Sequence, residues 1–340
     1  MTSFATKLKQ TIKRPVKAAL NLGRDLRGAH RARPAEPTLW VLMYHRVLPA
    51  DDPRCETEEP GMVVTPETFS MHLEELQRWM PVVALADWVK RYKAGEPLPE
   101  KACAITFDDG WLDNYQYAYP ELIRRDLVAS IFAVADKVGQ AAPFWPNRIA
   151  DLVLRQSPLL RQHPVLAPAA GLLGQPYSRD AVSACIQTLK QHSEDTLNAA
   201  LDSLGEDAQP ENSLSPDLMP WPALLEMDAS GVFSVGSHTC THRRLNHASS
   251  PEQRQEEIVG SRQRLEQQLG HEVPLFCFPN GDYDDASLNL VREQYQAAVT
   301  TQNGLNRLSS LDLHQLYRIG VHEGNAKTPL QFRARLSGLG

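Results

Sequence analysis

The chain has 340 residues, 42% of them hydrophobic and 22% charged, which suits a folded protein with a large core and excludes a fully disordered chain. Its net charge of −6 is unevenly spread: residues 1–36 hold nine Lys or Arg against two acids, net +7, leaving −13 for the rest. So acidic a body argues against nucleic acid as a partner.

No stretch reaches the roughly 20 apolar residues of a membrane span, and the N-terminus lacks the continuous apolar run of a signal peptide. Phe4, Leu8, Ile12 and Val16 recur at spacing four among lysines, interrupted by Pro15. That pattern fits a basic amphipathic helix in peripheral contact with anionic membrane through residues 1–36, and fits a solvated, disordered tail as well. The five cysteines are scattered, with no CxxC pair, and read as reduced cytoplasmic thiols, so the expected location is cytoplasmic or peripheral on the inner face of the membrane.

The folded region is expected to begin after "ARPAEP", giving a tail over 1–37 and a folded body over 38–340. "TLWVLMYHRV" (38–47) is an apolar, β-branched run that stops at Tyr44, His45 and Arg46. "TPETFSMHLEELQRWM" (65–80) carries helix start signals and helical spacing. "ACAITF" (102–107) reads as a buried strand, "YPELIRRD" as a helix and "ASIFAVA" (129–135) as a strand. Between about 140 and 220 the rhythm turns helical, as an insertion or lid. Strand and helix alternate again through "VFSVGSH", "EEIVGSRQRLEQQLG", "LFCFPNG", "ASLNLVREQY", "AAVTT" and "YRIGV". This alternation predicts an α/β fold of βαβ units around a mostly parallel sheet or barrel.

Two segments carry the chemistry. "ITFDDGWLDN" places Asp108 and Asp109 side by side where a buried strand ends. Neighbouring carboxylates in a partly dry site need a proton, a cation or a hydrogen bond, although an Asp here also suits a helix N-cap. "VGSHTCTH" places His238 and His242 four apart past another strand; a helical turn would bring both imidazoles to one face, and a plain polar loop is the alternative. In parallel α/β architectures the strand carboxyl ends gather into one site. One carboxylate with two imidazoles makes a three-ligand metal site, and a second carboxylate held off the metal could act as a base.

"TFDDGW" with "SHTCTH", "LMYHRV" and "FCFPNGDYD", in this order, resembles the polysaccharide deacetylase family, carbohydrate esterase family four, over roughly residues 38 to 325 outside the insertion. The resemblance implies a distorted (β/α) barrel and metal-dependent removal of N-acetyl or O-acetyl groups from an acetylated sugar or glycan. It implies Asp109, His238 and His242 as ligands of one divalent metal, zinc first, with cobalt or nickel as alternatives. It makes Asp108 the general base.

Two departures stand out. The family's usual C-terminal acid histidine is missing, and His45 at the end of the first strand resembles the arrangement of a permuted subgroup similar to the poly-N-acetylglucosamine deacetylases, which makes His45 the general acid. The arginine of the family's Arg-x-Pro-Tyr motif is also missing, since the matching segment reads Phe278-Pro279-Asn280-Gly281. Arg318 in "LYRIGV" could orient the base by a charge-assisted bond, a structural salt bridge being its alternative. Trp111, Trp145 and Trp221 are candidate sugar platforms or core residues, and Phe278, Pro279 and Asn280 are further substrate-binding candidates. The expected function is de-N-acetylation of an envelope polysaccharide or lipid-linked glycan. A hydrolase of non-sugar amides and a catalytically silent carbohydrate-binding barrel are the alternatives.

Overall fold

A computed structural model describes residues 17–140, 144–208 and 217–339. The amphipathic stretch from Phe4 to Val16 lies outside the described residues. The first described element, α1, is helical over 17–27 and leaves Leu20, Leu22 and Leu26 exposed. The chain then packs onto the barrel rather than hanging free. Asp25 and His30 are buried, and Asp25 pairs with Arg31 and with Arg333 near the C-terminus.

The barrel begins with β1 (Thr38–Tyr44), β2 (Arg46–Val47), β3 (Val63–Val64), α2 (Pro66–Trp79), α3 (Leu85–Lys93), β4 (Lys101–Phe107), α4 (Tyr119–Arg125) and β5 (Ala129–Ala133). A helical stretch follows with α5 (Trp145–Leu154), the short α6 (Ala167–Ala170), α7 (Arg179–Leu189) and α8 (Glu194–Asp202). Next come α9 (Trp221–Ala229), β6 (Phe233–Ser237), α10 (Pro251–Gln255), α11 (Ser261–Leu269), β7 (Leu275–Cys277), α12 (Asp285–Gln294), β8 (Ala297–Val299), β9 (Asn306–Arg307), β10 (Ile319–Gly320), α13 (Glu323–Ala326) and α14 (Pro329–Leu336).

The main sheet runs β10-β1-β4-β5-β6-β7-β8, with parallel pairing at every step of that path and β9 antiparallel on β1. The strands read as apolar runs because helices cover the sheet's outer face and side chains fill its inner one. β1 is fully paired on β4 over seven residues, and Trp40, Leu42 and Tyr44 pack with Ile105 and Phe107 in the largest core cluster. Past β8 the curled sheet is joined towards β10 by an isolated parallel bridge between Val299 and Leu316. The result is a distorted (β/α) barrel whose last strands are only two or three residues long.

The helices from α5 to α8 hold a core of their own, in which Trp145, Ile149, Ile186, Leu189, Leu197 and Leu201 are buried. Arg244, in the loop after β6, ties this layer to the barrel. It binds Glu194 and donates at 2.6 Å to the backbone oxygens of both Lys190 and His192.

The order of strands explains how distant residues meet. β1, first in sequence, lies between β10 and β4, so its carboxyl end abuts theirs. Tyr44 is in register with Phe107, which makes His45 and Asp108 the next pair along, and the Asp108 N–H donates to the Tyr44 carbonyl at 3.0 Å. One register step on β6 and β7, where Ser237 pairs with Phe276, likewise aligns His238 with Cys277.

Candidate active site

The carboxyl ends of β1, β4, β6 and β7, with the start of α5 and the end of α7, line a cavity of about 290 Å³. His45, Asp108, Asp109, Trp111, Trp145, His238, His242 and Asn280 all reach it.

The two aspartates face different partners. Asp108 is buried, and both its oxygens are held by the Arg318 guanidinium at 2.7 and 2.8 Å. Burial pushes the Asp108 pKa up, but the Arg318 charge and its two bonds outweigh that and leave it below the usual carboxylate value. Asp109, with φ of +76°, turns the opposite way. Its Oδ1 stands 3.5 Å from His238 Nε2 and 3.3 Å from His242 Nε2, while its Oδ2 accepts a 2.9 Å bond from Trp111 Nε1. Burial raises its pKa, and the two imidazoles prevail, holding it well below the ordinary range.

His238 Nδ1 lies 2.8 Å from the Cys277 carbonyl oxygen, which can only accept, so Nδ1 carries a proton and Nε2 is the nitrogen turned to the cavity. The two imidazoles do not meet through a helical turn, as their spacing suggested. Residues 238–242 form no helix; Thr239 and His242 have φ of +69° and +68°. Glu257 holds this loop by accepting from the backbone N–H groups of Cys240 and Thr241, each at 2.9 Å. A β-branched residue in the left-handed region stores strain that the surrounding bonds must offset. Cys240 turns away from the cavity, its Sγ towards Glu256 and Arg264.

The donor set fits a metal ion. The ligand atoms of Asp109, His238 and His242 all lie within 4.8 Å of one another. Donors about 2.1 Å from a shared tetrahedral ion stand roughly 3.4 Å apart, which matches the two Asp109 distances. Asp108, His238 and Cys277 form a second such group. It suits an ion less well, since Asp108 spends both oxygens on Arg318 and burial raises the Cys277 thiol pKa.

His45 is placed across from the imidazole pair, its Nε2 3.7 Å from Asp108 Oδ2. Burial lowers its pKa, while the Asp108 and Asp109 charges pull the other way. Arg318 is fully buried and its Nη2 also lies 3.2 Å from Cys277 Sγ. Two residues before Pro279, Cys277 is small enough to leave that space to the Arg318 guanidinium, which arrives from the residue just before β10.

The substrate-facing candidates divide. Trp145, from the start of α5, and Asn280 line the cavity, and Asn280 Oδ1 accepts a 3.0 Å bond from Lys190 Nζ. Trp111 also lines it but is 1% exposed, its ring edge turned to Asp109. Phe278 and Pro279 do not reach it: both are buried, and Phe278 stacks on Tyr283 at 4.1 Å because alternation along the strand end points it into the core. Trp221 lies outside the cavity lining, against the main core. Sequence reasoning missed Lys190 and Arg46. Arg46 lies over the Trp111 ring at 4.0 Å and pairs with Asp113 at 2.9 Å and with Glu58. The charge directly after His45 at a strand end was the available signal.

A family model described as polysaccharide deacetylase matches residues 95–298, more than half of the chain. The chain belongs to the polysaccharide deacetylase family. The matched stretch contains Asp108, Asp109, His238 and His242, and leaves out β1 and β10, with His45 just after β1 and Arg318 just before β10. YxkH of Bacillus subtilis (strain 168), whose name assigns it to the polysaccharide deacetylases, is 23% identical over 292 residues, covering 84% of this chain and 71% of that protein. Among solved structures, the Streptococcus pyogenes deacetylase PplD in complex with acetate superposes with a TM-score of 0.58 at 19% identity, over 89% of this chain and 99% of that one. IcaB from Ammonifex degensii gives 0.55 at 19% identity, over 88% and 97%. These likenesses show a shared polysaccharide deacetylase fold.

Proposed function

We propose that this polysaccharide deacetylase hydrolyses the N-acetyl group of an amino sugar in a glycan, releasing acetate and a free amine, with Asp109, His238 and His242 holding one divalent metal ion, zinc first. The observation that carries the reading is the division of labour between adjacent carboxylates: Asp108 is bound to Arg318, and Asp109 faces two imidazoles. A divalent ion in that site would supply Lewis acidity, making a water more acidic and offsetting negative charge on the amide oxygen.

The chain's own groups supply the rest. Asp108, kept ionised by Arg318, accepts a proton from the water as the water oxygen bonds to the amide carbon. Arg318 prevents the carboxylate from turning, so it keeps one orientation at the cavity wall. His45, on the other side of Asp108, donates a proton to the nitrogen as the C–N bond breaks, so the leaving group departs as a neutral amine. The Trp145 ring supplies an apolar wall for the sugar, and Asn280 and Lys190 offer polar contacts at the cavity wall.

The test uses an N-acetylated hexosamine oligosaccharide. Acetate and primary amine should appear in equal amounts, cease with a chelator and return with zinc. Acetate released only from O-acetyl esters, with no new amine, would contradict the assignment.

A further inference from the structure

We infer that Trp111 is a positioning residue that restricts Asp109 to one-oxygen ligation of the metal, and that Arg46 braces it from behind. The inference rests on the metal site proposed above and assigns Trp111 a part other than sugar contact.

A carboxylate beside a metal can bind through one oxygen or two, and the choice sets how many positions remain for water and substrate. Here the choice is made by a hydrogen bond. The Trp111 Nε1–H donates to Asp109 Oδ2 at 2.9 Å, and Oδ1 alone faces the two imidazoles. An indole N–H can only donate, so it serves as a fixed partner for the oxygen that is not to ligate.

The indole itself cannot swing away. Arg46 lies over its face at 4.0 Å, and Phe144 meets its ring at 5.3 Å and 73°. Arg46 is in turn locked by Asp113, which also accepts the Val47 N–H at 2.7 Å, and by Glu58. Trp111, Arg46 and Asp113 are each no more than 1% exposed. Because Arg46 follows His45 directly, the same stack fixes the loop bearing the proposed acid relative to the ligand carboxylate. The guanidinium charge is attracted to the electron-rich face of the indole, which favours the one rotamer in which the two stack.

The test measures metal binding rather than turnover. In Trp111→Phe the aromatic filling remains and the donor is lost. Cobalt affinity should fall about tenfold to a hundredfold, the usual loss when a partner of a ligand is removed. The visible spectrum of the cobalt protein should weaken, because Asp109 then adds its second oxygen and raises the coordination number. Wild-type affinity together with a wild-type spectrum would overturn the inference. A wild-type protein that takes up no divalent ion would overturn the metal reading beneath it. Should Trp111→Phe not fold, a crystal structure of the zinc-loaded wild type decides: Oδ2 on Trp111 supports the inference, and both oxygens on the ion overturn it.

Discussion

Arg318 grips both oxygens of Asp108 although 210 positions separate them in the chain. The pair is buried, so its charges are strongly coupled and neither can be removed cheaply. Arg318→Met should therefore destabilise the protein by about 3–5 kcal/mol, the usual cost of stranding a buried charge, read as a shift of the urea midpoint. Arg318→Lys keeps the charge and loses the two-pronged geometry. It should retain most of the stability and still lower kcat at least about tenfold. Wild-type kcat in Arg318→Lys would show that Arg318 serves the fold alone.

His45 can be separated from Asp108 by choice of substrate. An amide leaving group must be protonated as it departs, whereas an activated aryl ester's need not be. His45→Ala should cut kcat on an N-acetyl sugar about 10²–10⁴-fold and leave an aryl acetate far less affected. Equal losses on both substrates would assign His45 to the structure of the site.

Much of this site could be read from the chain because strand ends announce themselves. "ACAITF" followed by two aspartates, and "VFSVGS" followed by a histidine, mark β4 and β6, whose carboxyl ends share one face. What escaped the sequence depended on contacts between distant segments. The His238 and His242 spacing suggested a helical turn, but Glu257, a partner from a later helix, holds the backbone in a loop. Phe278 looked available for substrate beside Asn280, yet the one-residue alternation of a strand end sends it into the core. Arg318 and Cys277 share one space only because the sheet curls, and no local pattern reveals that.

The loop bearing His242 is tied to the helical layer by Arg244. Arg244→Ala should loosen the whole layer and strand Glu194, which is 8% exposed. The expected result is faster proteolytic cleavage between residues 140 and 220, with a lowered metal affinity. Unchanged cleavage there would mean the helices are held by their own core and need no clamp.

His72 is buried and neutral, with Nδ1 3.0 Å from the Tyr44 hydroxyl and Nε2 2.6 Å from the Ala326 carbonyl. Burial pushes its pKa down from 6.5 to about 4. The unfolded chain therefore binds this proton first as pH falls, so the stabilisation is complete above about 6.5 and is lost between about 6.5 and 4. The loss amounts to at most about 3 kcal/mol. Urea midpoints across this range should fall in the wild type and fall less in His72→Phe, which keeps the ring stacked on Phe332. Identical slopes in both proteins would remove His72 from the pH response.

Asp108 and Asp109 are neighbours assigned different work, and paired variants separate the two roles. Zinc content and turnover are measured together in Asp108→Asn and Asp109→Asn. Asp108→Asn should keep about one zinc per chain and lose about 10²–10⁴-fold in kcat, whereas Asp109→Asn should lose the zinc. Retention of zinc by Asp109→Asn, with its loss from Asp108→Asn, would overturn both assignments.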